Sequence, residues 1–370
     1  MKSFFPASLL SALTFVIALS ANAFAQTPTP KPTPHINDDE GVIKVSSRLV
    51  VVPVSVTDAN GVAVQGLTAN DFRIAEEGRA QKIENVGNAE EVPLEIALLF
   101  DISASTDAMF KFEQETAAKF LQDVLRAKDR ASVFTVGEKA TLIQSRDTAE
   151  KSIVSIRAIQ PTKQQTAFYD SLRAAAEHLR RSAPEGSRRV IVIISDGEDT
   201  NSEGVLRAIW DAERKIADNV QGEKLRELRV RARDAAKTAE QAKVLKALQD
   251  ADTVFYSINP AGSSYQLNKM SAFGQENMQK FADQTGGTAF LPKFLPIDTK
   301  DEYANANNMK RNQATLEQIF RQLANELRAQ YLVQYYSETE FPQGKFVKLD
   351  VGLTNPTGRK LRARQGYYAK

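Results

Sequence analysis

The chain of 370 residues is long enough for two or three domains, each with its own apolar core. Its 48 basic and 46 acidic side chains nearly balance, and the net charge of +2 gives no reason to expect a nucleic-acid partner. The chain has no cysteine and only two histidines, which excludes disulfides and cysteine metal sites and leaves little material for zinc or histidine acid–base chemistry.

Residues 1–25 have the features of a secretory signal peptide. Lys2 gives a positive start, Leu9 to Leu19 form an apolar stretch, and Ala23-Phe24-Ala25 is a small-x-small pattern for cleavage. The alternative, an uncleaved membrane anchor, would need an apolar run of roughly 20 residues, which is longer than this one. We therefore expect an exported protein, periplasmic or secreted at the cell envelope, with no transmembrane segment in the mature chain.

A proline-rich linker and a small β module are predicted next. The stretch "TPTPKPTP" within residues 26–41 favours extended polyproline geometry, as in a semi-rigid stalk. Residues 42–92 then carry β-branched runs and two turn signals, Asn60-Gly61 and Glu77-Gly78. Pro53 cannot donate a backbone hydrogen bond, so we expect it on an edge strand.

Residues 93–294 change to the pattern of an α/β domain. The segments "LEIALLFD" and "RRVIVIISDG" are continuous apolar runs, as in parallel strands that helices cover on both faces. Shorter strands are predicted at 131–136 and 253–258, and helices with one apolar stripe at 113–127 and 168–182. This alternation of strands and helices predicts a doubly wound, mostly parallel sheet.

The connection from Asp196 to Val254 is too long for the single helix of an α/β crossover. Residues 204–250 carry two helical stretches broken near Gly222, which predicts an inserted helical hairpin. The expected buried stripe is narrow and rich in alanine: Leu225, Leu228, Ala232, Ala235, Ala239 and Ala242. The insertion is either a surface excursion that stabilises itself or an arm that recognises a partner, and the sequence leaves both open.

Residues 295–370 return to strands after one further helix, predicted at 313–329. The segments "YLVQYYS" and "KFVKLDVGL" have the composition and alternation of strands. Neither these strands nor residues 42–92 are sufficient for a full sandwich alone. We therefore expect them to form one β-sandwich-like module together, with the α/β domain of residues 93–294 inserted into it.

Oxygen-bearing side chains follow the strongest strands of the α/β domain. The stretch "ALLFDISAS" ends a strand at Asp101 and continues with Ser103 and Ser105. A second strand ends at Asp196, and Thr166 precedes the predicted helix of residues 168–182. Ligands of open parallel sheets gather at the carboxyl ends of the strands. Two carboxylates and three hydroxyls, without sulfur or imidazole, suit Mg²⁺, or Mn²⁺ or Ca²⁺.

Each of these residues also has an ordinary structural explanation. Ser105 and Thr166 fit helix N-caps, and Asp196-Gly197 fits a turn. Their joint occurrence, in this order and at these strand ends, favours a metal site. Asp199 in "SDGEDTNS" is a weaker candidate, either a loop or capping residue or a residue that supports the metal ligands from behind.

The pattern resembles the metal-ion-dependent adhesion site (MIDAS) of a von Willebrand factor type A (VWA) domain, over roughly residues 93–294. The flanking segments "VSVTDANGVAVQGLTANDFRIAEEG" and "RARQGYYA" resemble the VWFA-related family of acidobacterial exported proteins. The resemblance implies that a divalent cation is held, directly or through water, by Asp101, Ser103, Ser105, Thr166 and Asp196. It also implies that an acidic group of a partner fills an open coordination position. Gln164 and Gln165 depart from the glycines that often precede the threonine in this family.

The sequence therefore predicts an exported, cation-dependent binding protein of the adhesion type that is not an enzyme. The hydroxyl donors are neutral, so a dication facing two carboxylates would still attract an exposed Asp or Glu of a protein or peptide. Hydrolysis would need a general base or a second metal. The sequence leaves two alternatives, a metal-assisted hydrolase and a scaffold with a structural metal that binds through the helical arm. It does not decide the oligomeric state.

Overall fold

The structure is a computed structural model, and it describes residues 48–103, 110–162, 164–215, 220–260, 269–297 and 299–369. All of them belong to one compact unit, Ser46–Lys370. The predicted signal peptide, the predicted linker and Ser105 lie outside the described residues.

Fourteen strands and seven helices follow one another along these residues. The strands are β1 (Arg48–Asp58), β2 (Phe72–Glu76), β3 (Arg79–Gln81), β4 (Ile83–Asn88), β5 (Leu94–Asp101), β6 (Arg130–Val136), β7 (Ala140–Asp147), β8 (Arg188–Ile194), β9 (Thr253–Ile258), β10 (Ala289–Phe290), β11 (Tyr331–Ser337), β12 (Phe346–Leu353), β13 (Arg359–Ala363) and β14 (Gly366–Tyr368). The helices are α1 (Phe110–Val124), α2 (Ala149–Ala158), α3 (Phe168–Ser182), α4 (Glu203–Arg214), α5 (Gly222–Asp250), α6 (Lys269–Thr285) and α7 (Glu302–Arg328).

A six-stranded sheet forms the centre of the α/β part, in the order β10-β9-β8-β5-β6-β7. Its strands are parallel except β7, which runs antiparallel at one edge. One face packs against α1, α2 and α7, and the other against α3, α5 and α6. Every residue of β5 is buried, which explains the continuous apolar run in its sequence.

Two four-stranded antiparallel sheets form the β module, in the orders β13-β1-β11-β4 and β14-β12-β2-β3. β1 pairs with β11 and β13, and β2 pairs with β12, so each sheet combines strands from the two ends of the chain. Their facing side chains form a third core, separate from the two beside the central sheet. The predicted fold class is confirmed: a doubly wound, mostly parallel sheet with an additional sandwich-like module and a helical hairpin.

Pro53 lies in β1, which is an inner strand of its sheet and not the edge strand that the sequence predicted. β13 pairs with β1 only from Val54 onward, and β11 pairs along the other side. Among the described strands, none pairs with Pro53 on the side away from β11. The strand is therefore locally an edge at this residue, where a missing N–H is tolerated.

The inserted hairpin differs from its prediction in the face that it buries. Ala235, Ala239 and Ala242 are exposed, although the alanine stripe predicted them to be buried. The buried side of α5 instead includes Lys237 and Glu240. Polar contacts explain this difference, since Lys237 donates to the carbonyl of Asp199 at 2.8 Å and Glu240 lies against the backbone of α4. No helix among the described residues is long and apolar enough to cross a bilayer.

Candidate metal centre

The two aspartates of the predicted site lie at the ends of neighbouring parallel strands. Phe100 of β5 pairs in register with Ile194 of β8, so Asp101 and Ser195 occupy the next level of the sheet. Asp196 follows directly. Because the strands are parallel, both carboxylates lie at the same carboxyl edge, where α/β sheets bind their ligands.

Asp101 is 1% exposed, and hydrogen bonds hold its carboxylate. The backbone N–H of Ser103 donates to Oδ1 at 2.9 Å, and the hydroxyl of Ser195 donates to Oδ2 at 2.6 Å. Ser195 in turn accepts a bond from the N–H of Gly197 at 3.0 Å, which links Asp101 to the loop that carries Asp196. These bonds fix the orientation of the Asp101 carboxylate.

The electrostatics of this edge disfavour two negative charges in the cation-free protein. The pKa of Asp101 is raised to about 6, with burial as the largest cause and the charge of Asp196 acting in the same direction. Hydrogen bonds from Ser195 and Ser103 act in the opposite direction. A bound cation would relieve both the burial cost and the repulsion.

The loop after Asp196 is packed tightly against α6. Glu198 donates its backbone N–H to Oδ1 of Asp196 at 3.0 Å. Gly197 has a φ of +78°, and a Cβ at this position would lie 2.7 Å from the carbonyl oxygen of Gly274 in α6. Glycine is therefore required here by both the backbone conformation and the close approach.

Thr166 is held at the same edge by backbone bonds on both sides. Its N–H donates to the hydroxyl of Thr200 at 2.8 Å, and its carbonyl accepts the N–H of Thr200 at 2.9 Å. The next residue, Ala167, donates to the carbonyl of Gly137 at 2.7 Å. Gly137 directly follows β6, the strand paired with that of Asp101. Thr166 thus lies between the loop after Asp196 and the strand beside Asp101.

Ser103 and Asp199 are both buried near this edge. Hydrogen bonds from the backbone and the hydroxyl of Ser103 to Asp101 help to keep the pKa of that carboxyl down. The Asp199 carboxylate accepts the N–H of Tyr169 at 3.2 Å and the hydroxyl of Ser202. Asp199 therefore joins the loop after Asp196 to the start of α3. Ser105 is outside the described residues, so its position is not assigned.

Two residues of this region were not identified from the sequence, Ser195 and Glu113. The serine directly precedes Asp196, and only the register of β5 and β8 reveals that it reaches Asp101. Glu113 is 1% exposed, and neither of its carboxylate oxygens has a hydrogen-bond partner. A signal was present for Glu113, because it falls on the helical stripe of Ala117 and Phe120, which faces the core.

The residues at this edge fit a hard divalent cation. They offer carboxylate and hydroxyl oxygens, which Mg²⁺, Mn²⁺ and Ca²⁺ prefer. Among the described residues, no three His, Cys, Asp or Glu side chains come together as a metal site. A cation here would therefore depend on Asp101, Asp196 and hydroxyl donors, a set with few formal charges.

Residues 96–198 match the family model described as the von Willebrand factor type A domain. This range includes every predicted metal-site residue, and it confirms the resemblance to VWA domains. No curated protein matches the chain.

Several solved structures are similar to the chain at low identity. BatB from Bacteroides thetaiotaomicron is 14% identical, with 61% of this chain and 99% of that chain covered and a TM-score of 0.34. The PilB minor pilin from Streptococcus sanguinis is 13% identical, with 67% and 64% covered and a TM-score of 0.40. Proximal thread matrix protein 1 from the mussel byssus, in a structure with a zinc-occupied MIDAS motif, is 11% identical, with 67% and 48% covered and a TM-score of 0.39.

Proposed function

We propose that the protein, whose residues 96–198 match the von Willebrand factor type A domain model, is an exported binding protein that recognises an acidic group of a partner through a divalent cation. The cation would be Mg²⁺, Mn²⁺ or Ca²⁺, held by Asp101, Ser103, Ser105, Thr166 and Asp196. The observation that supports the proposal is the position of the buried Asp101. It lies at the end of β5, in register with the end of β8 that leads into Asp196, and its pKa is raised.

The donor set favours binding over hydrolysis. The cation, when bound, supplies positive charge and an open coordination position for an incoming carboxylate. Asp101 and Asp196 contribute two formal charges, and the hydroxyl donors contribute none, so a dication keeps its attraction for a third acidic group. The partner would present an exposed Asp or Glu. His178 forms a hydrogen bond at 2.8 Å with Ser132, four residues before the carboxyl end of β6, so this histidine lies away from the strand-end edge where a general base would be needed.

We also propose export of the protein, with the signal peptide removed near Ala25. The proposal rests on the amino-terminal sequence and on the adhesion-type function, which requires access to an external partner. The mature protein would lie in the periplasm or outside the cell at the envelope. Whole-cell fractionation of the full chain would test this, and retention in the cytoplasm would contradict it.

Calorimetry with single cations tests the proposed metal site. The wild-type protein is expected to bind at least one of Mg²⁺, Mn²⁺ and Ca²⁺, whereas Asp101→Asn, which keeps the size of the side chain, is expected to lose the binding and retain the fold. At a cation concentration about 100 times the dissociation constant, the free energy of unfolding should rise by about 2.7 kcal/mol. Flat titrations of the wild type with all three cations would refute the proposal.

Partner capture with and without EDTA tests recognition itself. Proteins retained from the native envelope by the wild type should be lost on chelation and with Asp101→Asn. Retention that survives both treatments would contradict recognition through the cation. Cation-dependent turnover of ester or phosphate substrates would instead support the hydrolase alternative.

A second candidate function is a scaffold with a structural cation, in which the α4–α5 hairpin carries the contacts. One observation favours it: Trp210 of α4, the only tryptophan of the chain, is 66% exposed, and tryptophan is enriched at binding hot spots. Deleting the whole hairpin would not test this cleanly, because Val244 and Leu248 of α5 belong to the core. Trp210→Ala should abolish partner capture if the hairpin carries it, while Asp101→Asn should then leave capture unchanged.

A further inference from the structure

Glu113 is a buried carboxyl group that the fold does not compensate. The side chain lies in the first turn of α1 and is 1% exposed. Neither oxygen has a hydrogen-bond partner, and none of the ion pairs among the described residues includes Glu113. Other buried acidic groups differ in this respect, since Glu95 receives three hydrogen bonds from Arg146. A buried, unpaired carboxyl costs stability, so its retention calls for a reason other than packing.

The position of Glu113 points to the candidate metal centre. Phe110, which begins α1, packs its ring against Phe100 with 5.3 Å between centroids. Phe100 is the residue before Asp101, and Glu113 is one helical turn after Phe110. Side chains of a helix lean toward its amino terminus, which directs the Glu113 carboxyl to the strand-end edge. Consistent with this placement, the negative charge of Asp101 helps burial to raise the pKa of Glu113 to about 8.

We propose that Glu113 is an outer carboxylate behind the cation site, not a ligand of the cation, and that its negative charge stabilises the cation that Asp101 and Asp196 hold. This inference rests on the proposed function, because it requires a cation at that edge. It accounts for the two unpartnered oxygens, which have no compensating group in the cation-free protein. It also assigns a residue of α1 to a site otherwise built from loops at the ends of strands.

Glu113→Gln tests the proposal, because it removes the charge and keeps the size and shape of the side chain. Outer residues of metal sites typically change metal affinity by about 10- to 100-fold, and a loss in this range is expected here for Mn²⁺ and Mg²⁺ by calorimetry. In EDTA at pH 7 the variant should melt at a higher temperature than the wild type, because an uncompensated buried acid is gone. If Glu113 served only the stability of the fold, Glu113→Gln would melt at a lower temperature than the wild type in EDTA.

Glu115→Gln is the matched control on the same helix. Glu115 is partly exposed and pairs with Arg157 and Lys111, so its replacement should leave cation affinity unchanged. Glu113→Met provides a second variant without charge or hydrogen bonding. If both Glu113 variants fail to fold, or melt below the wild type in EDTA, the proposal is overturned in favour of a structural role.

The outcomes separate this inference from the proposed function. A wild type that binds none of the cations removes the metal centre altogether, and with it the role of Glu113. A wild type that binds Mn²⁺ with the same affinity as Glu113→Gln leaves the metal centre intact and overturns only the proposal for Glu113. Weaker binding together with a higher melting temperature in EDTA supports it.

Discussion

Asp101 and Glu113 place two acidic groups with upward-shifted pKa values beside one strand end. Both shifts have burial as their largest cause, and each group also responds to a neighbouring negative charge. In the folded, cation-free protein these carboxyls hold their protons more tightly than in the unfolded chain. The stability that this provides is present at low pH and is lost as the pH rises.

This difference predicts a pH dependence that can be assigned to Glu113. The pKa of its carboxyl rises from the ordinary 4.5 to about 8 on folding, so its contribution is complete below 4.5 and disappears as the pH rises through 8. The loss at pH 7 is on the order of 3 kcal/mol by linkage. Urea unfolding in EDTA should show the wild type losing stability relative to Glu113→Gln between pH 4.5 and 8. Parallel pH profiles of the two proteins would contradict the assignment.

At the residue scale, the sequence indicated the acidic residues of the strand ends but not their partners. Asp101 and Asp196 stand out because each ends an apolar run, and this pattern can be recognised without a structure. Ser195 could not be distinguished from a simple strand terminus, since its hydrogen bond to Asp101 depends on the pairing of β5 with β8. Such contacts join residues far apart in the chain, and no local pattern encodes them.

Among the elements, the contact between α6 and the loop after Asp196 decides how that loop is held. The backbones of Gly197 and Gly274 approach so closely that a Cβ on Gly274 would lie 2.6 Å from the carbonyl oxygen of Gly197. Neither group at this contact is a flexible side chain. Any displacement of the loop is therefore expected to displace α6 as well.

Gly274→Ala is expected to destabilise the protein and weaken cation binding. Helix propensity alone predicts a gain of about 1 kcal/mol for alanine over glycine. Overpacking against a backbone costs about 1 to 3 kcal/mol and should outweigh this gain, with a shift of the Asp196 loop. Urea unfolding and Mn²⁺ calorimetry would measure both effects. Gln279→Ala, at a partly exposed position of the same helix, should change neither, and a stabilised Gly274→Ala with normal binding would contradict the prediction.

Element predictions succeeded where the apolar pattern matched the buried face. The helix predicted at 168–182 is α3 to the residue, and the predicted stripe of Phe168, Leu172, Ala175 and Leu179 is buried. In α5 the pattern failed, because the side facing the core includes Lys237 and Gln241, which find polar partners there. Helix α7 begins at Glu302, well before the predicted 313. The prediction missed these first turns because they carry no apolar stripe.

Across the whole molecule, the β module depends on strands from both ends of the described chain. Glu76 at the end of β2 accepts hydrogen bonds at 2.7 Å from Tyr335 and Ser337 of β11 and from Tyr367 of β14. This buried carboxylate links the two sheets of the module across more than 250 residues of sequence. The pairing of distant strands was predicted because each half alone was too small, but the Glu76 network was not visible in the sequence.

The amino-terminal strands are therefore not expected to fold alone. Within residues 46–92, β2 pairs with β3, whereas the pairings that the structure gives to β1 and β4 are all with β11 or β13, apart from a single bridge after β1. Expressed by itself, this fragment leaves most of the third core without its facing side chains. Circular dichroism in increasing urea should show no cooperative transition. A sharp transition would mean that the fragment is a domain in its own right.

The same topology predicts that the α/β domain can be removed without unfolding the module. Asn88 at the end of β4 pairs in register with Tyr331 at the start of β11, so their Cα atoms lie about 4.5 to 5.5 Å apart. A short Gly-Ser turn can join residues 46–88 to residues 331–369 as a hairpin, which supplies every strand of both sheets. This joined chain should unfold cooperatively in urea where the amino-terminal fragment does not. If the joined chain also lacks a transition, the module needs contacts from the α/β domain, and insertion of one independent domain into another is the wrong description.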